Sequence, residues 1–224
     1  MNHEHLEDIH STQDYLRELD VDSESVLISC EHQSNGRGQY DRKWDSDAGS
    51  LCLSFTLAPN EVLTLTSLEV GYLIAKFFSV QYQIDLKLKW PNDILTPSAE
   101  KVAGVILNNT NSKTLLVGVG INYFERLNAQ EYTTPYGFIF DRKFSLSKKE
   151  ESRKLYEFIL ANRLNPKDVI KLWNERCIHL NKNITFQEKD ASFVGKFLGI
   201  GEFGEALIQT PQRSSKYYSG SIIL

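Results

Sequence analysis

Six short apolar or alternating runs occupy residues 26–30, 51–55, 86–89, 93–96, 102–108 and 114–121, and one long helical pattern at 64–81 interrupts them. Runs of this length, punctuated by Pro, Asn, Ser and Gly, form strands. The stretch at 64–81 instead spaces Leu65, Leu68, Tyr72, Leu73 and Phe77 as the apolar stripe of a helix. Strands paired mostly with near neighbours, and few helices to cover them, dictate an α+β sheet domain. Shorter helices are expected after Ser11, whose hydroxyl can cap the turn with Asp14 three residues on, at 147–162, and at 166–177 behind Pro166. From Asn183 the pattern changes to short β-type runs with turns at Gly199-Ile200-Gly201 and Phe203-Gly204. That segment predicts a small barrel-like β module of about four strands, too short for a robust core of its own.

The chain has 224 residues, 41% of them hydrophobic, enough for one substantial domain with a small appendage. Its net charge of −4 and pI near 5.8 give no general attraction to nucleic acid. Cys30, Cys52 and Cys177 are odd in number and lack CxxC spacing, which suits a reducing cytosol and argues against a disulfide framework. The first residues are charged and carry no apolar leader, and no run approaches the ~18 apolar residues of a membrane span. A soluble, cytoplasmic protein is expected. His3 and His5 are read as part of a frayed tail, and His32 and His179 lack partners at metal-ligand spacing.

Between the first two strands lies Gly36-Arg37-Gly38-Gln39-Tyr40-Asp41-Arg42-Lys43-Trp44. Glycines on either side of Arg37 let the backbone bend sharply and approach a ligand. Guanidinium groups suit phosphate oxygens, and the indole offers a flat apolar face. Three further segments carry chemistry: Ser11-Thr12 with Gln33, Lys89-Trp90-Pro91-Asn92-Asp93, and Lys101-Val102-Ala103-Gly104 with Gly118-Val119-Gly120-Ile121-Asn122. A lone lysine at a strand end is ordinarily solvated. Here small Ala103 and Gly104 follow Lys101, which leaves room for a ligand.

The order of glycine–arginine loop, KWPND, KVAG and GVGIN resembles the biotin protein ligases over nearly the whole chain, in a form without a DNA-binding domain. The stretch from Gly195 through Gly220 is similar to that family's small SH3-like domain. The resemblance implies a mixed sheet with flanking helices at residues 1–180, then an SH3-like β-barrel at 181–224. It implies formation of biotinyl-5′-AMP from biotin and ATP, followed by transfer of biotin to a lysine of a biotin carboxyl carrier domain. Lys101, Arg37 and Asp93 are the implied catalytic residues, with Asp93 a weak Mg²⁺ ligand. Biotin would meet Ser11, Thr12, Gln33, Gly36, Arg37, Lys101, Gly104, Gly118 and Gly120. The adenylate would meet Arg37, Gln39, Arg42, Trp44, Asn92, Lys101 and Asn122.

Because the Ser11-Thr12 site begins almost at once, no helix-turn-helix and no DNA partner are expected. Homodimer formation through sheet edges is compatible with the resemblance. The competing readings are a lipoate or octanoate protein ligase, which KWPND and the C-terminal module disfavour, and a non-catalytic biotin-sensing protein. The loop departs from the family's GRGRxGRxW pattern: Gln39 replaces an arginine and Asp41 a glycine. Weaker retention of the adenylate is expected from the lost cation. Gln13 stands where the family often carries Asn.

Overall fold

The computed structural model describes residues 1–19, 25–39, 42–109, 113–125, 135–140, 146–188 and 191–224. The chain runs β1 (Asn2–Ile9), α1 (Thr12–Glu18), β2 (Val26–Gln33), β3 (Gly36–Arg37), β4 (Lys43–Trp44) and β5 (Ser50–Leu57). There follow α2 (Thr66–Tyr82), β6 (Lys87–Lys89), β7 (Asp93–Leu95), β8 (Lys101–Asn109) and β9 (Leu115–Asn122). Helices α3 (Lys148–Ala161) and α4 (Pro166–Arg176) precede β10 (Asn183–Glu188), β11 (Ala191–Ile200), β12 (Ala206–Gln209), β13 (Ser214–Tyr217) and β14 (Ser221–Ile223). Two compact units emerge, one of Met1–Pro59 and Glu100–Asn162, the other of Asn60–Ala99 and Arg163–Leu224.

In the first unit the strands lie in the order β1-β2-β5-β9-β8, parallel between β1 and β2 and antiparallel elsewhere. Directly paired residues share a face. One face therefore carries Phe55 between Leu27 and Val117, and α3 covers it. Phe55 and Tyr156 stack at 4.8 Å between centroids, and the Tyr156 hydroxyl donates to Thr56 O at 2.8 Å. The other face lies under α1, whose Leu16 packs with Val26, Ile28 and Leu116.

The structure corrects the reading of the chain start as a tail. Residues Asn2 to Ile9 pair in register with Val26 to Gln33, and His3 Nε2 and His5 Nδ1 each lie 2.8 Å from Ser29 Oγ. A polar strand with few apolar residues is held there by its ladder to β2, so tertiary pairing overrides a weak local pattern.

In the second unit, α2 is buried on most of its surface, including Glu69, which is fully inaccessible. By length and composition Leu63–Tyr82 reaches the threshold for a membrane-crossing helix, which corrects the expectation that no run approaches it; 67% of the window is buried in the protein. Strands β6 and β7 form a hairpin that pairs Lys89 with Asp93. The C-terminal strands form an antiparallel sheet in the order β13-β12-β11-β10-β14. It has one strand more than the four expected, because the short β14 returns to pair with β10.

Candidate active site

The face of the first unit's sheet that lies under α1 carries glycines at its centre. Cys30, Cys52, Gly120 and Gly104 form one row across β2, β5, β9 and β8. Ile28, Ser54, Gly118 and Ile106 form the next. Above the first row lies the indole of Trp44. A Cβ built at Gly120 would come within 2.6 Å of Trp44 Nε1, and one at Gly104 would sit 3.6 Å from both Trp44 Cζ3 and Lys101 Nζ. The three glycines therefore make a floor on which an indole, an ammonium group and a ligand can lie close to the backbone. Lys101 Nζ is 5.7 Å from the Trp44 ring centroid, within range of a cation–π attraction.

Above the second row stands the start of α1. Ser11 caps the helix, its Oγ accepting from Asp14 N at 3.3 Å. Thr12 donates twice to Gln33 Oε1, from its backbone N at 2.8 Å and its hydroxyl at 3.1 Å, and that hydroxyl also lies 2.9 Å from Ser54 Oγ. Gln33 Nε2 in turn donates to Ser46 Oγ at 3.3 Å. Gly36, beside them, is packed so tightly that a Cβ would meet Trp44 O at 2.5 Å. Thr12, Gln33, Gly36, Trp44, Gly104, Gly118, Gly120 and Lys101 thus converge on one face.

Arg37 and Lys43 pair in the β3–β4 ribbon. The Arg37 guanidinium is half exposed, and its Nε donates to Asp14 Oδ2 at 2.8 Å. The other Asp14 oxygen accepts from Arg17 Nη1 at 2.9 Å. So the carboxylate expected to complete a capping box instead ties the glycine loop to α1. Gly38 N donates to Arg42 O at 2.7 Å and Arg42 N to Gln39 O at 3.2 Å, closing the loop tip. Tyr40 and Asp41 lie outside the described residues, so the Asp41 expectation has no structural counterpart.

Asn122 spends its amide nitrogen on Lys101 O and Gly137 O, both at 3.1 Å, and so fixes the backbone from which Lys101 springs. Its Oδ1 is buried without a partner in the protein. Burial, reinforced by the neighbouring Cys52, pushes the Cys30 thiol up to about 12, so it stays protonated and is no nucleophile. Asn92 and Asp93 belong to the second unit, at the turn of the β6–β7 hairpin. There Lys89 Nζ donates to Asp93 Oδ2 at 3.3 Å, and the Trp90 indole donates to Gly204 O at 2.9 Å.

Sequence reasoning gave Asp14 only a capping role and did not single out Ser46, Ser54 or Asn108, which complete the polar layer. Short polar residues carry no motif of their own. Only the strand register shows that Ser54 lies beside Gly118.

Residues 6–122 match the profile of the biotin/lipoate A/B protein ligase family. The bifunctional ligase/repressor BirA of Bacillus spizizenii is 26% identical over 96% of this chain and 72% of its own length. The biotin–[acetyl-CoA-carboxylase] ligase of Mycobacterium tuberculosis is 30% identical over 46% of this chain and 41% of its own. The structure of biotin protein ligase from Aquifex aeolicus in complex with biotin and ATP superposes with a TM-score of 0.83 at 27% identity, covering 99% of this chain and 97% of that one. The matched segment contains the glycine floor, the basic loop and Lys101, and the chain belongs to the biotin/lipoate A/B protein ligase family.

Proposed function

We propose that this protein is an ATP-dependent biotin protein ligase. The observation that carries the reading is the glycine-floored face, roofed by Thr12, Gln33 and Trp44 with Lys101 at its edge, in a fold shared with a ligase solved with biotin and ATP. In the first step a carboxylate oxygen of biotin bonds to the α-phosphorus of ATP. The α–β phosphoanhydride bond breaks, and pyrophosphate leaves. In the second step the neutral amine of a carrier lysine bonds to the activated carboxyl carbon; the carbon–oxygen bond to AMP breaks, and the amine's proton passes to solvent.

Two anions meet in the first step, so the protein must supply fixed positive charge where they approach. Lys101, placed by Asn122 and lying against Trp44, takes that role between carboxylate and α-phosphate. Arg37, oriented through Nε by Asp14, leaves its two terminal nitrogens for phosphate oxygens. Arg42 and Gln39 are assigned to the nucleotide. Ser11 contributes by capping α1, and Thr12, Gln33 and Gly36 frame the biotin ring.

The described residues contain no group of three His, Cys, Asp or Glu that could hold a metal, and Asp93 is engaged by Lys89. Mg²⁺ enters this reading as part of the nucleotide substrate. We assign residues 1–180 to catalysis and 181–224 to a small SH3-like domain, a reading supported by the five antiparallel C-terminal strands. The acceptor is a carrier domain with an exposed lysine, and the setting is the cytoplasm.

Incubating the protein with biotin, MgATP and a biotin carrier domain tests the reading by intact mass. One biotinyl group is expected on the carrier, with Lys101→Ala slower by roughly a thousandfold. An unmodified carrier would overturn it.

A further inference from the structure

The opposite face of the same sheet, under α3, carries a polar cluster that the ligase chemistry does not use. Ser29 of β2 shares that face with Leu27 and is fully buried. Its Oγ meets two imidazoles of β1 at once, His3 Nε2 and His5 Nδ1, each at 2.8 Å. His5 Nε2 lies 3.0 Å from Glu31 Oε1, and the His5 side chain is only 11% exposed. From α3, Lys148 Nζ donates to Glu31 O at 2.6 Å and lies 3.9 Å from Glu31 Oε2. The position of each hydrogen follows from the donor and acceptor types. The Glu31 carboxylate only accepts, so His5 carries a hydrogen on Nε2, and the neutral ring accepts at Nδ1. That nitrogen takes the Ser29 hydroxyl hydrogen, and Ser29 Oγ in turn accepts from His3 Nε2. Donation therefore runs from His3 through Ser29 and His5 to Glu31, with both rings neutral.

We propose that this chain is a one-proton relay that clasps β1 to β2 and releases the strand when a second proton arrives. A first proton binds His3 Nδ1. The hydrogen on His3 Nε2 moves to Ser29 Oγ, and the hydroxyl hydrogen already there moves to His5 Nδ1. The cation comes to rest on His5 against the Glu31 carboxylate, and Ser29 now donates back to His3 Nε2. Every bond of the chain survives, reversed only between the two rings. A second proton has no such place. With both rings charged, two N–H groups claim Ser29 Oγ, and its own hydrogen loses both ring nitrogens as acceptors. The second charge also faces Lys149 and Arg153 of α3, with Glu150 opposing them. Burial first, then His5 and Lys149, already hold the His3 imidazole below its ordinary 6.5. The contribution of a neutral His3 is therefore full above pH 6.5 and is lost as the pH falls below it.

The test is an acid titration followed through the ¹⁵N shifts of the imidazoles. His5 should become the imidazolium first, and at the same midpoint His3 should change from the Nε2–H to the Nδ1–H tautomer. Amide hydrogen exchange in β1 should stay level through that step and rise roughly tenfold or more in the next, as His3 charges. Ser29→Ala cuts the relay, so the tautomer change should vanish and the rings should titrate independently. Glu31→Gln alters a half-exposed side chain and removes the charge that draws the proton to His5. The first proton should then stay on His3, and β1 exchange should rise with it. A His3 tautomer that never changes in the unaltered protein would overturn the inference, as would β1 exchange that rises with the first proton or with neither. None of these readouts involves biotin or ATP, so the ligase reading stands or falls separately.

Discussion

Glu69 in the second unit and Gln13 in the first are both polar side chains buried on helices, yet their bonding differs in kind. Every oxygen of Glu69 is engaged: Arg163 Nε at 2.8 Å and Leu164 N at 2.8 Å on one, Arg163 Nη2 and Asn60 Nδ2, each at 3.0 Å, on the other. Gln13 keeps one acceptor open, as Asn122 does, and Trp44 keeps one donor open. Buried polar groups in scaffolds are satisfied internally, because an open valence costs stability. In the first unit such groups gather above Gly104, Gly118 and Gly120 instead.

His179 shows that an open valence alone is not enough. Both its nitrogens are unpartnered, but the ring lies edge-on to Phe197 at 4.3 Å and Trp173 at 6.3 Å, in an apolar setting.

The largest expected effect is on the closed network. Glu69→Ala removes the four hydrogen bonds from Arg163, Leu164 and Asn60 to a fully buried carboxylate and should cost about 3–5 kcal/mol in denaturant unfolding, with biotin affinity of the folded fraction retained. A stable variant with lost biotin binding would erase the contrast.

His179 comes next. Burial first, then the neighbouring Lys89 and Lys182 charges, pushes its imidazole from 6.5 down to about 3. Between those values the unfolded chain binds a proton that the folded protein does not. Stability is therefore full above the unfolded pKa and falls with decreasing pH, by about 3 kcal/mol between neutrality and pH 4. His179→Phe should flatten that part of the profile; an unchanged slope would show that the ring already protonates in the fold.

Gly120→Ala probes the open side. Its methyl collides with the Trp44 indole, so adenylate formation should drop roughly 100-fold while the unfolding midpoint moves less than for Glu69→Ala. Pyrophosphate exchange and melting, measured together, decide this. The smallest effect is at the loop tip: Gln39→Arg restores an exposed cation and should slow adenylate release about two- to fivefold. Equal off-rates would remove Gln39 from the account of retention.

Much of this was legible in the chain. Ser11 announces α1, Pro91 and Asn92 place the turn between β6 and β7, and Gly118 and Gly120 mark the floor by lying two apart on one strand. Strand β1 was not legible, since Asn-His-Glu-His-Leu-Glu-Asp-Ile has the composition of a solvated segment and its partner begins at Val26. Asp14 sits at the spacing of a capping box, but its carboxylate goes to Arg37, 23 residues away. Local spacing cannot register such a partner. The packing of Gln13 over Gly118, more than a hundred positions on, likewise appears only once the register of β9 is known.

The position of Trp44 has an optical consequence. Of the chain's three tryptophans, Trp90 and Trp173 lie in the second unit, and only Trp44 belongs to the glycine-floored face. With Trp90 and Trp173 replaced by phenylalanine, the emission of the remaining indole reports on that face alone. Its unpartnered N–H makes the wavelength of that emission sensitive to any acceptor brought against it, so occupancy can be followed by fluorescence without a label.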